Sequence, residues 1–165
     1  MSLELLRAAL AAAGHTQAVL SHPETLASVG CFEMPDEDWP VSNPFVAVPA
    51  LLCVGPGDAA LVVADFHMPD VRDCGASVVP YRSYDFESPP DPAGELRSAL
   101  VQALDDAGIS PGQTGVEAMH LPWEVAEWLR QAGRTPVGCD AAVSASRRGA
   151  GVPDLDAVQI GRAHV

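Results

Sequence analysis

Possible metal ligands are most closely spaced between residues 65 and 74. This segment contains one histidine, three aspartates and one cysteine: Asp65, His67, Asp70, Asp73 and Cys74. Imidazole and carboxylate groups of this kind bind divalent cations. The spacing D-x-H-x-x-D-x-x-D matches no known ligand template, however, and it falls in a predicted loop. We therefore interpret these side chains as surface groups that follow a strand, and we predict no metal site here.

Nucleophilic catalysis has little support elsewhere in the chain. Ser21, His22 and His120 supply a hydroxyl and two imidazoles, but their positions indicate no complete set of nucleophile, base and orienting group. The segment Gly55-Pro56-Gly57 is typical of a tight turn, and it differs from the G-x-G-x-x-G pattern that binds phosphate before a helix. We predict that these 165 residues contain no catalytic side chain.

An acidic segment, EMPDEDWPVSNP, occupies residues 33–44. It carries four carboxylates and a tryptophan: Glu33, Asp36, Glu37, Asp38 and Trp39. Four carboxylates without an arginine among them favour a solvated loop, which the prolines stiffen. A tryptophan is costly to leave exposed and often anchors a contact with a partner. Both interpretations, a plain surface loop and a contact loop, remain open.

Composition limits the partners of this chain. It has 165 residues with 22 acidic and 9 basic side chains, and the formal net charge is -13. This charge argues against nucleic acid and anionic membranes, which need a basic surface. No apolar run is long enough to span a bilayer, and the N-terminal residues MSLELLRAAL predict a helix rather than a signal peptide. We expect a cytoplasmic protein whose four cysteines are free thiols; the alternative is an exported disulfide framework, which the lack of a predicted signal peptide disfavours.

Alternating helical and strand patterns predict an α/β domain with a mixed sheet of about six strands and helices on both faces. Helices are expected at residues 3–13, 23–30 and 93–107. Another is expected to start near Leu121, with Trp123, Ala126, Trp128 and Leu129 on its buried face. Strands are expected at residues 17–21, 45–54, 59–64, 76–81, 113–117 and 135–139. The second strand contains Pro49, which marks an edge or a break, and it returns through a tight turn as a hairpin.

A resemblance appears between Asp106 and Pro122, where the chain reads D-x-G-x-x-x-G-x-x-G-V-E-x-x-x-L-P. This pattern resembles the N-terminal domain of the creatinase/prolidase/aminopeptidase P family. The earlier segment G-x-x-x-A-V-L-S-x-P-E is similar to the opening of the same domain. The chain departs from the family at Thr25, where the family commonly has asparagine, and at Ser28, where it has tyrosine; Phe32 is retained.

The resemblance implies a domain with a ribonuclease H-like motif at residues 1–150. Residues 151–165, which predict a helix from Pro153, would then begin the connection to a C-terminal catalytic domain. In the family, that catalytic domain holds two divalent metal ions (Mn, Co or Zn) with two Asp, one His and two Glu, and none of these ligands maps onto the present chain. The Gly-Val-Glu and Leu-Pro residues are interpreted as a structural corner between a strand and a helix.

The resemblance also implies a homodimer in which loops of this domain cover the active site of the partner subunit. Those loops correspond by position to Glu33, Asp36, Glu37, Asp38 and Trp39, and secondarily to Phe66 and His67. The expected function is therefore a non-catalytic domain of a Xaa-Pro peptidase or creatinase-like hydrolase. The alternatives are a standalone interaction or ligand-binding module and an independent small α/β enzyme. The sequence does not distinguish Xaa-Pro dipeptides, longer peptides or creatine as substrates.

Overall fold

The structure, a computed structural model, describes residues 1–33, 49–83 and 91–150, with side chains to residue 148. The described helices are α1 (Leu3–Ala12), α2 (Pro23–Val29), α3 (Pro92–Asp106), α4 (Trp123–Gln131) and α5 (Asp140–Ala150). The strands are β1 (Ala18–Leu20), β2 (Leu51–Val54), β3 (Ala59–Ala64), β4 (Ser77–Tyr81), β5 (Gly112–Val116) and β6 (Arg134–Gly138). Within these ranges one 3-10 helix, η1 (Asp65–Asp70), follows β3.

The six described strands form one mixed sheet in the order β4-β3-β2-β1-β5-β6. Strand β2 pairs antiparallel with both of its neighbours, and the other pairs are parallel. Strands β1, β3, β4, β5 and β6 therefore point the same way. Their carboxyl ends meet at one edge of the sheet, which we call the carboxyl edge. The start of β2 lies at the same edge because β2 runs in the opposite direction.

Helices cover both faces of this sheet, as the sequence predicted. One core contains the buried faces of α3 and α4, including Leu100 and Leu129, against side chains such as Val62. The second core contains α1, α2 and α5, with Leu6 and Leu26 against the opposite face. The two helical layers leave no strand of the central sheet exposed on both sides, so the hydrophobic effect favours this layered arrangement.

The hairpin and the longest helix are confirmed. Strands β2 and β3 pair antiparallel around the turn at residues 55–58. Gly55 is required in this turn, since a Cβ there would lie 1.7 Å from the carbonyl oxygen of Ala107. Helix α3 buries Leu96, Leu100 and Leu104, and Gly108 after it adopts φ 65°, the left-handed conformation that ends a helix.

Some details of the predicted elements differ in the structure. Within the described residues, β2 begins at Leu51 and Pro49 lies before it; residues 45–48 of the predicted strand are outside the described residues. In α4 the buried residues are Val125 and Leu129, whereas Trp123 is 73% exposed. Trp123 was predicted on the buried face, but with about 3.6 residues per turn it lies on nearly the opposite side of the helix from Val125. The segment 140–148, to which no structure was assigned, is helical in α5.

None of the described helices combines the length and apolarity that crossing a bilayer requires. The predicted connecting helix from Pro153 lies outside the described residues, as do Asp36, Glu37, Asp38 and Trp39 of the acidic segment.

Candidate functional site

The carboxyl edge carries most of the residues that the sequence analysis selected. Ser21 and His22 follow β1, and η1 with Phe66 and His67 follows β3. Glu117 and His120 follow β5. In open α/β sheets this edge is where ligands usually bind, particularly between two strands whose following helices pack on opposite faces. Strands β1 and β5 are such a pair, because α2 and α4 belong to different cores.

The crevice between β1 and β5 is filled by the carboxylate of Glu117. This side chain is only 2% exposed. Its Oε2 accepts hydrogen bonds from the backbone N–H groups of Ser21 and His22 at 2.9 and 2.7 Å. Its Oε1 accepts one from the hydroxyl of Thr25 at 2.6 Å. A protein carboxylate thus occupies the position where an anionic ligand could otherwise meet these amides, so the crevice is closed from within.

The contact of Thr25 with Glu117 was missed by sequence reasoning. Thr25 is fully buried in α2, 92 residues away from Glu117 along the chain. The sequence analysis recorded Thr25 only as a departure from the family asparagine. The useful signal was its position: a polar side chain on the buried face of a helix needs a partner, and the carboxylate of the Gly-Val-Glu motif provides it. The interpretation of that motif as a structural corner is supported.

The histidines beside this corner contact each other without forming a catalytic set. The rings of His22 and His120 meet edge to face with centroids 3.8 Å apart. The Nδ1 atom of His22 accepts a hydrogen bond from the backbone N–H of Glu24 at 3.1 Å, which caps α2. Burial, the neighbouring His120 and the guanidinium of Arg147 lower the pKa of His22. The Oγ atom of Ser21 is buried and has no hydrogen-bond partner among the described residues, so it is not paired with a base.

Glu33, the described start of the acidic segment, lies beside the segment that follows η1 at the carboxyl edge. Glu33 forms an ion pair with Arg72 at 3.1 Å, and both side chains are about two-thirds exposed (65% and 67%). Phe32 and Val71 form an isolated antiparallel bridge. The exit from α2 and the segment after η1 are therefore held together, and the acidic segment leaves the described structure from this position.

Phe66 and His67 of η1 have different environments. Phe66 is 41% exposed, whereas His67 is buried at 3%. The His67 ring lies between aromatic neighbours, with centroids 4.1 Å from Phe66 and 5.4 Å from Phe32. Its Nδ1 atom is 3.3 Å from the Asp70 carboxylate. Phe66 is therefore partly exposed to solvent, and the buried His67 ring packs against it.

The prediction of four free thiols was wrong. Cys31 and Cys74 form a disulfide across a sequence separation of 43 residues, with Cα atoms 5.0 Å apart. Cys53 and Cys139 are free and buried. The prediction was based on the scattered spacing of the cysteines and on the absence of a signal sequence. These features indicate whether the cellular compartment is reducing, but they do not indicate which cysteines the fold brings close together.

The possible ligands between residues 65 and 74 do not converge. The described residues contain no group of three His, Cys, Asp or Glu side chains that could hold a metal ion. Asp65 instead accepts hydrogen bonds from the backbone and hydroxyl of Ser83, and Cys74 is in the disulfide. The two-metal chemistry implied by the resemblance therefore has no ligand set in this part of the chain.

A groove of about 290 Å³ lies beside the carboxyl edge, between the first turns of α3 and α4. Tyr81, Leu96, Val125 and Trp128 provide its apolar walls, and Glu124 lies at its margin. The Tyr81 hydroxyl donates to the carbonyl oxygen of Pro49 at 3.1 Å, and burial raises the pKa of Tyr81, which keeps this donor protonated. The groove is concave and aromatic, and among its described lining residues Glu124 supplies the one carboxylate.

Comparison with solved structures identifies the fold. A dipeptidase from Pyrococcus horikoshii matches 89% of this chain with a TM-score of 0.61 and 20% identity, and the match spans 36% of the dipeptidase. The N-terminal domain of a Xaa-Pro dipeptidase from Lactobacillus brevis matches 86% of this chain and 98% of its own length, with a TM-score of 0.60 and 15% identity. The N-terminal domain of the cytoplasmic peptidase PepQ from Mycobacterium tuberculosis matches 87% of this chain and 96% of its own, with a TM-score of 0.54 and 16% identity.

The chain therefore has the fold of the N-terminal domains of Xaa-Pro dipeptidases, as the motifs indicated. It spans about a third (36%) of the Pyrococcus dipeptidase. No protein-family model and no curated protein matches the sequence.

Proposed function

We propose that this chain is the non-catalytic N-terminal domain of a metal-dependent Xaa-Pro peptidase or creatinase-like hydrolase. The observation that carries the proposal is the agreement in fold, over most of the chain, with domains that precede the catalytic part of such peptidases. The corner closed by Glu117, which fills the crevice where ligands usually bind in such sheets, supports a role without chemistry of its own.

The role that we propose for the domain is to form a homodimer and to gate the active site of the partner subunit. Support comes from the carboxyl edge, where Glu33 and the exposed Phe66 lie on segments joined by a disulfide, an ion pair and a strand bridge. A partner surface would meet negative charge from Glu33 and the acidic segment, beside an aromatic ring. Such an edge favours substrates with a free amino group at the mouth of the site. We propose a cytoplasmic location, in line with the PepQ comparison.

The test uses the natural full-length protein loaded with manganese, cobalt or zinc. Glu33, Asp36, Glu37 and Asp38 are replaced together by their amides, and kcat/KM is measured on Xaa-Pro dipeptides, longer Xaa-Pro peptides and creatine. We expect kcat/KM for the best substrate to fall by about fivefold or more, which corresponds to a ΔΔG‡ of about 1 kcal/mol.

The matched control replaces three exposed acids at the opposite edge of the sheet, Asp58, Asp105 and Asp106, by asparagine. It changes the net charge by a similar amount at a distance from the carboxyl edge. If the control variant loses as much activity as the test variant, the effect is one of overall charge and the gating role is refuted. The isolated 165-residue chain, assayed with the same substrates and metals, should show no turnover above chelator-treated samples.

A standalone ligand-binding module is the second candidate, and the groove lined by Tyr81 and Trp128 is the observation that favours it. Substitution Trp128→Ala in the full-length protein separates the two candidates. A gating domain should retain kcat/KM for Xaa-Pro peptides in this variant, because the groove is not the gate. If the chain is a standalone binding module, the wild-type protein itself should show no peptidase activity.

A further inference from the structure

The disulfide between Cys31 and Cys74 joins the segment after α2 to the segment after η1. Glu33 and Phe66 lie close to these two cysteines in sequence, and we call the surface that they form the carboxyl-edge patch. Cys31 comes directly after Gly30, which ends α2 with φ 79°, and Cys74 lies between η1 and β4. Among the described residues, these two segments are also joined by the Phe32–Val71 bridge and by the ring contact of Phe32 with His67. The backbone N–H of Arg72 donates to the carbonyl oxygen of Cys31 at 2.9 Å, and the exposed Glu33–Arg72 ion pair adds little in water. The covalent bond is therefore the strongest link in this position.

The four cysteines differ in their access to an external thiol. Cys53 and Cys139 are buried, and burial raises the pKa of each thiol to about 12, so neither is a thiolate near neutral pH. Cys31 is also buried, but Cys74 is only half-buried. Part of the Cys74 residue is thus exposed to a thiolate from solution, while the remaining thiols stay unreactive.

We propose that Cys31–Cys74 is a thiol–disulfide exchange site whose oxidation state sets the order of the patch that contains Glu33 and Phe66. The inference rests on the proposed gating function for its consequence, and on the contacts above for its chemistry. In a reducing compartment, persistent structural disulfides are rare and exchangeable ones are usually redox-sensing. A disulfide in a protein that we place in the cytoplasm therefore points to reversible exchange.

The exchange requires a dithiol reductant such as a thioredoxin-type protein or dithiothreitol. Its thiolate attacks Sγ of Cys74, the bond to Sγ of Cys31 breaks, and Cys31 leaves as a thiolate that takes up a proton. The second thiol of the reductant then attacks the mixed disulfide and releases Cys74 as a thiol. Two electrons and two protons pass to the protein, and the reductant becomes a disulfide. Oxidised glutathione reverses the process.

Thiol counting tests the chemistry in the 165-residue chain. After equilibration with oxidised glutathione, quenching and denaturation, iodoacetamide should label two of the four cysteines, namely Cys53 and Cys139; after dithiothreitol it should label four. Under native conditions in the oxidised state, labelling should be slow at every cysteine. Four labelled cysteines in the oxidised sample, or a disulfide that resists dithiothreitol in the native protein, would overturn the proposal.

Hydrogen exchange tests the structural consequence. Reduction should accelerate amide exchange at residues 65–74 by about tenfold or more and leave β5 and α4 unchanged. The double variant Cys31→Ser/Cys74→Ser should show the fast pattern with or without dithiothreitol. If that variant fails to fold, Cys74→Ser alone serves. Equal exchange at residues 65–74 in the oxidised and reduced wild-type chain would also overturn the proposal.

The activity of the natural full-length protein separates this inference from the gating function. When oxidation changes labelling and exchange as stated and also changes kcat/KM, both proposals stand. When labelling and exchange change but kcat/KM remains within about twofold, the exchange site stands and the gating function fails.

Discussion

The corner formed by Glu117 allows a quantitative prediction about stability. Replacement Glu117→Ala removes the acceptor of three hydrogen bonds of 2.9, 2.7 and 2.6 Å. A buried donor left without a partner costs about 1–3 kcal/mol. Ser21 and His22 are half-buried, so water can replace part of what their N–H groups lose, whereas Thr25 is fully buried. We expect Glu117→Ala to lower the free energy of unfolding by about 3–5 kcal/mol.

Two milder variants keep the prediction measurable if Glu117→Ala does not fold. In Glu117→Gln, the amide oxygen still accepts from the two backbone N–H groups, and its NH2 group can donate to the Thr25 hydroxyl. The loss should be about 1–2 kcal/mol, the difference between a charged and a neutral acceptor. Thr25→Val, which keeps the shape but removes the donor, should cost about 1.5–3 kcal/mol.

Urea denaturation of the 165-residue chain, followed by tryptophan fluorescence and circular dichroism, measures these losses. Glu124→Gln is the matched control, since this glutamate is exposed and its side chain makes no hydrogen bond among the described residues; it should change stability by less than about 0.5 kcal/mol. A loss below about 1 kcal/mol for Glu117→Ala would refute the view that this carboxylate holds α2, β1 and β5 together.

Three further predictions follow from other parts of the structure. Reducing Cys31–Cys74, which closes a separation of 43 residues, should lower the free energy of unfolding by about 4 kcal/mol on the chain-entropy estimate, and equal urea midpoints with and without reductant would contradict this. Gly55→Ala should destabilise by about 2–3 kcal/mol, because its Cβ would lie 1.7 Å from a carbonyl oxygen, whereas Gly57→Ala, with open space around it, should be nearly neutral in the same melts. Because the pKa of His22 is lowered from 6.5, the unfolded chain binds this proton more readily, and stability should fall as the pH drops from 6.5 towards the folded pKa; an NMR titration giving a pKa at or above 6.5 would disprove it.

The elements of the fold could largely be predicted, because each depends on local patterns. The leucines of α3 recur at helical spacing, and the turn at residues 55–58 separates two apolar runs. Strand order was a different matter, since β1 pairs with β5 across almost a hundred residues and no local pattern specifies that pairing. The error at Trp123 has a similar origin: in a helix of nine residues, the choice of buried stripe depends on the neighbouring α3.

The candidate site was less predictable than the fold. Sequence position suggested that Glu33 and Phe66 act together, but the connection between them runs through Cys31–Cys74, which requires knowing that two distant loops meet. The same limitation applies to Thr25, whose hydroxyl is explained only by the carboxylate of Glu117 from another strand. Long-range polar contacts of this kind are properties of the assembled sheet rather than of any segment.

We propose that the carboxyl edge of this domain reaches the active site of a partner subunit, and photo-crosslinking from Phe66 measures this contact. Phe66, which is 41% exposed, is replaced by benzoylphenylalanine in the natural full-length protein, and dimers are mixed from heavy-isotope and unlabelled subunits before irradiation. We expect crosslinks between this position in one subunit and peptides around the metal ligands of the other. Crosslinks confined to one subunit, or a full-length protein without a metal-ligating catalytic domain, would contradict it.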